Sequence, residues 1–270
     1  MALQHLTSRF GFHHTPFTRE IRVEDLLRLP DFDVALRALE RTVDSRMSAV
    51  IIAPAGTGKS VLLRALAARL PDARYRVHYV KVTDLGKREM CREIATAAGA
   101  HPAGSYPKLV RSLQERFSGA LETDGLRPVL LLDEAHDLRP DVLAMLRLLT
   151  NFAMDSQLVV SLILCGQPPL KTLLRRDHLE DIARRLAHFV TLRPLTREQS
   201  TRYLEHRCRV AGASGSPFDP SAHDALWEMA RGNLRATDRL ALKALEVAHD
   251  QDTAVVDSNH VLCARQLLWP

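Results

Sequence analysis

The stretch Ala53-Pro54-Ala55-Gly56-Thr57-Gly58-Lys59-Ser60 decides how the rest of this chain is read. Before it lies the apolar run Ala49-Val50-Ile51-Ile52; after it, Val61-Leu62-Leu63-Arg64-Ala65-Leu66-Ala67 repeats apolar residues at helical spacing. A strand, a glycine-bearing loop, Lys-Ser and a helix, in that order, make a phosphate-binding P-loop rather than a chance glycine turn. Gly56 and Gly58 let the backbone curl until several N–H groups point at one anion. The helix beyond them adds the positive end of its dipole. Lys59 brings a mobile cation to the β- and γ-phosphates, and the Ser60 hydroxyl can ligate Mg²⁺. Residues Ala53 to Val61 are therefore the expected ATP contacts. Ala53 stands where the G-x-x-x-x-G-K-S pattern begins with glycine, a change that costs little if φ is negative there.

The second half of such a site is Val129-Leu130-Leu131-Leu132-Asp133-Glu134. A buried strand of this kind delivers Asp133 to the sheet edge, where it can hold the Mg²⁺ shell together with Ser60. Glu134, one residue on, can orient and deprotonate the attacking water. The alternative, a strand ending in two solvated acids, loses ground once a P-loop lies upstream. The tetrad Asp133-Glu134-Ala135-His136 spells a helicase box, but a helicase needs two RecA-like domains and 270 residues cannot hold both.

Three further positions follow. Gly166-Gln167 ends the next apolar run, which in a parallel sheet puts Gln167 near the γ-phosphate, where its amide can position water. The alternative is a polar turn residue before Pro168-Pro169. Arg184-Arg185 is either surface charge or an arginine finger, with Arg185 favoured. Arg235 opens a helix predicted after Asn233, where a cation opposes the helix dipole, so an anion such as a phosphate is expected to face it; the alternative is a merely exposed arginine.

Strands predicted at 49–52, 74–82, 129–134 and 158–164 alternate with helices at 87–98, 106–121 and 138–152, and a helix over Val34 to Val43 is expected to be capped by Asp31 or Asp33. Near-continuous apolar strands alternating with helices mean an α/β fold with a parallel sheet covered on both faces. After residue 195 the segments 196–211, 220–231 and 233–250 read as helices. The expected division is an arm (1–30), a P-loop ATPase core (31–195) and a small all-helical lid (196–270). The arm segment Phe10-Gly11-Phe12-His13-His14-Thr15-Pro16-Phe17 is expected to pack against something flat.

Composition is that of a soluble globular protein, 46% hydrophobic and 26% charged. The net charge of +5 mildly favours an anionic partner. Between Lys171 and Arg209 ten Lys/Arg face five Asp/Glu, so this stretch carries the whole excess, as a solvated helical face or an anion-facing surface. Cys91, Cys165, Cys208 and Cys263 show no ligand spacing and read as reduced thiols, which fits a cytoplasmic setting. The N-terminus has no apolar signal region, and the longest apolar stretch is too short to span a bilayer.

Taken together, these motifs resemble an AAA+ ATPase of the branch that holds general secretion pathway protein A and the TniB-like and phage Mu B-like transposition helpers. The resemblance rests on Phe10-Gly11-Phe12 with Pro16-Phe17, Ala53 to Ser60, Leu131 to His136, Gly166 to Leu170, Arg185-Leu186, Leu195 to Gln199 with Tyr203, Arg207 and Ala211-Gly212, and Gly232-Asn233-Leu234-Arg235. It implies that Lys59, Ser60 and Asp133 serve ATP–Mg²⁺, that Glu134 is the base, and that Gln167 and Arg235 are sensors on the core and lid. It also implies nucleotide-dependent rings or filaments in which Arg185 acts in trans. Asn233-Leu234 departs from the family's apolar residue and Pro before the lid arginine. Of the branch's two roles, secretion assembly goes with a transmembrane segment and a peptidoglycan-binding region. This sequence stops at Trp269-Pro270 without either, so the expected role is a helper that binds double-stranded DNA and recruits or activates a transposase. Phosphate contacts with little base reading are then expected from Lys81, Thr83, Lys87 and Arg88, unless these are a solvated helix start.

Overall fold

The computed structural model describes residues 6, 8–152, 154 and 156–268. It divides into two compact units, one of residues 30–192 and one of residues 1–29 with 193–270. The arm anticipated as a separate piece thus groups with the helical segment.

The 30–192 unit runs α1 (Pro30–Asp44), β1 (Ser48–Ile52), α2 (Lys59–Arg69), β2 (Tyr75–Lys81), α3 (Lys87–Ala98), α4 (Tyr106–Glu122), β3 (Arg127–Asp133), α5 (Pro140–Leu149), β4 (Ser161–Gly166), α6 (Pro169–Leu174), α7 (Glu180–Arg185) and β5 (Leu186–Thr191). The five strands form one sheet in the order β2-β3-β4-β1-β5, and every pairing is parallel. β1, β3 and β4 are apolar along almost their whole length because helices cover both faces, which removes the in/out alternation of a half-exposed strand. Their side chains pack with Met90, Ile94, Leu109, Leu113, Phe117, Leu143 and Leu146 from the helices in a continuous core.

Local signals fix several ends. Gly99, at φ 66°, closes α3 in the left-handed conformation that glycine adopts freely. α1 begins at Pro30, so Asp31 and Asp33 are first-turn residues and not the cap. Proline suits that first position because its missing N–H would lack a partner anyway. α5 is shorter than the predicted 138–152 helix, starting at Pro140. The strand predicted from Leu158 begins at Ser161. β5 was not anticipated; it lies along β1 as an edge strand.

The other unit holds α8 (Arg197–Val210), α9 (Pro220–Ala230), α10 (Leu234–Asp250) and α11 (Ser258–Leu267). Thr196 and Gln199 form a reciprocal capping box at the start of α8. Asp219 and Asn233 cap α9 and α10 through the backbone N–H groups of Ala222 and Ala236. Leu6, Phe12 and Phe17 of the arm are buried in this unit's core with Leu204, Phe218, Leu226 and Leu245. Among the described residues no helix is long and apolar enough to cross a membrane.

Gly232 joins α9 to α10 at φ 72°, and a Cβ there would lie 2.1 Å from the carbonyl oxygen of Leu195. Gly232→Ala is therefore expected to cost at least about 2 kcal/mol, since left-handed strain and a backbone clash add. Denaturant unfolding followed by circular dichroism checks this; an unchanged midpoint would refute it.

Candidate functional site

The C-terminal ends of parallel strands share one edge of the sheet, where ligands of open α/β sheets bind. Here that edge gathers the loop after β1, the turn after β3 and the residue after β4. Gly56 and Gly58 take φ 76° and 97°, so both glycines of the loop are used in conformations that an L side chain resists. Ala53 is not among the residues with positive φ, which explains how alanine stands in place of the leading glycine. Its N–H donates to the carbonyl of Gly166 at 3.1 Å, tying the loop's start to the end of β4.

Lys59 is buried, and its ammonium donates to the carbonyls of Ala53 at 3.1 Å and Pro54 at 3.0 Å. Thr57 Oγ1 donates to the Pro54 carbonyl at 2.8 Å. The cation is thus held inside the curl of its own loop, beside the first turn of α2. Ser60 Oγ donates to Asp133 Oδ2 at 2.8 Å, joining the loop to β3 across a gap of 73 residues. Tyr79 Oη donates to the same oxygen at 3.2 Å, and the Glu134 N–H donates to Asp133 Oδ1 at 2.9 Å. Burial and the Asp133 carboxylate push the Tyr79 phenol up to about 12, so it stays a donor throughout the neutral range. Tyr79 was not anticipated. Its signal lay in strand parity: Lys81 pairs with Asp133 and Tyr79 with Leu131, which puts Tyr79 on Asp133's face of the sheet.

Glu134 leaves β3 in the left-handed region, φ 57° and ψ 34°, an uncommon place for a residue with a side chain. This turn starts a short 3₁₀ segment, Ala135–Asp137. His136 there meets Gln167: the two Nε2 atoms lie 2.7 Å apart. His136 Nδ1 lies 3.5 Å from Glu134 Oε2. Asp133, Glu134 and Gln167 are thereby brought to one edge with Ser60.

The remaining sequence-predicted residues lie elsewhere. Arg184 pairs with Glu180 one helical turn away, whereas Arg185 is half-buried and donates to the Thr150 carbonyl at 3.4 Å. Lys81, Thr83, Lys87 and Arg88 are exposed. Lys87 lies 3.8 Å from Asp141, and Arg88 donates to the Gly104 carbonyl. Arg235 is exposed at the second position of α10.

The donor set fits a triphosphate with Mg²⁺. A hard cation wants oxygen ligands, and Ser60 and Asp133 present a hydroxyl and a carboxylate in contact. Glu134 Oε2 is buried with no hydrogen-bond partner among the described residues. Among those residues no cluster of three or more His, Cys, Asp or Glu could hold a metal unaided.

The sheet order with this loop after β1 and an Asp-Glu pair after β3 is the P-loop AAA+ NTPase fold. Residues 41–174 match a family described as an AAA domain, a span that takes in the loop, Asp133, Glu134 and Gln167 and stops short of Arg185. The chain is 29% identical over 244 residues to general secretion pathway protein A of Aeromonas hydrophila, covering 90% of this chain and 44% of that protein. The chain thus spans less than half the length of this curated relative. Among solved structures, Cdc6p from Pyrobaculum aerophilum is similar with a TM-score of 0.77 at 19% identity, covering 93% of this chain and 70% of that one. The Aeropyrum pernix ORC1 protein, solved in complex with DNA, follows at 0.67 and 22%, covering 92% and 68%. The Thermotoga maritima RuvB branch migration motor gives 0.59 at 18%, covering 88% and 67%. At these identities the likeness shows the fold.

Cys165, at the end of β4, is fully buried, and its thiol is pushed well up by burial and then by the Asp133 carboxylate. Thiolate is the reactive form, so Cys165 is expected to stay inert at pH 8, as are the buried Cys91 and Cys208. Cys263 alone should react with a chromogenic disulfide reagent in the native protein, and all four in denaturant. Native labelling of Cys165 would contradict this packing.

Proposed function

We propose that this chain binds ATP with Mg²⁺ and hydrolyses it, working as an oligomeric DNA-binding helper that recruits or activates a transposase. The contact between Ser60 Oγ and Asp133 Oδ2, 2.8 Å long and beside a loop with two left-handed glycines, carries the nucleotide part of this reading. Amides of Ala55 to Ser60 and the N-terminus of α2 cradle the phosphates, and Val61 continues the wall. Lys59 exchanges its loop carbonyls for phosphate oxygens. A bound Mg²⁺ would neutralise charge across the β- and γ-phosphates, with Ser60 and Asp133 the residues that hold it. Glu134 takes the proton of the attacking water on its carboxylate, and Gln167 aligns that water. Arg185 is assigned to a neighbouring copy's nucleotide, on the family resemblance. Arg235 supplies the lid's guanidinium for a phosphate.

The DNA part rests on charge and placement. The net charge is positive. Lys81 and Thr83 are exposed directly after β2, and Lys81 lies in register with Asp133, beside the candidate metal ligand. That adjacency offers a route by which a phosphate backbone senses the nucleotide. A second reading, assembly of a secretion apparatus, is favoured by the Aeromonas hydrophila relative.

Lys59→Ala is expected to abolish nucleotide binding in calorimetry. Glu134→Gln should keep binding while turnover falls by roughly 10²-fold or more; normal hydrolysis by this variant would remove Glu134 from its role. Turnover measured with and without duplex DNA, alongside electron microscopy, separates the two biological readings. Stimulation with filaments supports the helper, and indifference to DNA supports assembly. Lys81→Glu combined with Lys87→Glu should weaken DNA binding and flatten its salt dependence by about one unit of slope per lost phosphate contact. Unchanged binding would sink that surface.

A further inference from the structure

We infer that His136 is a positioning residue for hydrolysis, linking the Gln167 amide to the Glu134 carboxylate and aiming that carboxylate at water; this rests on the ATPase reading above. We assign the Gln167 amide nitrogen, 2.7 Å from His136 Nε2, as the donor of this contact, which makes that ring nitrogen the acceptor. A neutral ring accepting there carries its proton on Nδ1. Nδ1 is buried, has no other hydrogen-bond partner among the described residues, and faces Glu134 Oε2 at 3.5 Å. Oε2 is itself buried and unpartnered. Two orphaned buried polar atoms, one a donor and one an acceptor, thus face each other at a distance that a small closure turns into a hydrogen bond.

The groups facing the ring are few. Asp137 Oδ1 lies 3.7 Å from Nε2, a nitrogen already serving Gln167. On its outer side His136 lines a groove of about 570 Å³ with Leu138, Pro168, Thr172, Leu173 and Arg176. The backbone underneath leaves no slack: a Cβ on Gly166 would come within 3.0 Å of the His136 N–H nitrogen. Gln167 is the next residue, so the end of β4 fixes both partners of the contact. The link has a consequence. The Gln167 amide whose nitrogen holds His136 is also the group assigned to aligning the water near the γ-phosphate. Engagement of a triphosphate therefore reaches the base through one ring.

The test uses the full chain. His136→Ala should lower kcat by roughly ten- to hundredfold while nucleotide affinity stays within about threefold, as for outer-shell partners that orient a functional group. His136→Gln, able to accept and donate at once, should retain more activity. Because the groove opens onto the ring, added imidazole should restore turnover to His136→Ala in a saturable way. Losses in His136→Ala and Gln167→Ala should be far from additive in the double variant. Nitrogen-15 NMR of the nucleotide-free protein should find the ring proton on Nδ1. An unchanged kcat, additive losses, no response to imidazole, or a proton on Nε2 would each overturn the inference. A wild-type protein that binds ATP without turning it over would overturn the hydrolysis reading, and the ring tautomer would still decide the link.

Discussion

The Asp133 carboxylate is the node on which the site depends. It is 3% exposed, and a carboxylate taken that far from water is tolerable only if its oxygens are supplied with donors. Ser60, Tyr79 and the Glu134 N–H supply them, from α2, β2 and the turn after β3. Each donor is anchored to a regular element or to the backbone. The carboxylate thereby fixes where the loop after β1 ends relative to β3, although β4 lies between these strands in the sheet. Preorganisation of this kind fixes the carboxylate in place.

A second constraint surrounds Gly166. Its carbonyl accepts from Ala53, and the space where its Cβ would go is occupied by the Leu170 side chain and the His136 backbone. Three loops therefore meet at a residue without a side chain. The left-handed Glu134 is the counterpart of this crowding. Strain of about 1–3 kcal/mol at one residue persists only where the surroundings over-determine it. Here a buried strand precedes it, a 3₁₀ turn follows, and its own N–H is held by Asp133.

Much of this was legible in the sequence because the signals were local. The loop's glycines, the apolar runs of β1 and β3, the Asp-Glu pair and the α3–Gly99 ending each sit within about a dozen residues. What escaped depended on partners distant in the chain. β5 contains three exposed residues in a row, His188 and Phe189 among them, so it shows neither alternation nor a full apolar run. α11 is capped by Asp257 with His260 in the place usually held by Glu or Gln, a box that is easily overlooked. Tyr79 acquires meaning only once β2 is known to lie beside β3. In sequence His136 reads as one letter of a helicase tetrad, whereas its contact with Gln167 requires β4 to lie beside β3 in the sheet.

The arm shows the same logic in the other unit. Arg207 on α8 is almost fully buried, and its guanidinium needs acceptors that its own helix cannot provide. Tyr203 Oη and Asp238 supply some, and the carbonyl of Thr18 accepts from it at 2.6 Å. The ring of Phe17 covers the guanidinium at 5.7 Å, with Phe17 itself at φ 59°. Gly212, at φ 103°, leaves room for the His13 ring, and the His13 N–H donates to Ala211. The aromatic segment is therefore not a tail resting on a surface. It completes the hydrogen bonding of a buried cation, and losing that carbonyl would leave a charge short of partners in an apolar core. That cost binds the arm to the helices more firmly than its apolar area alone would.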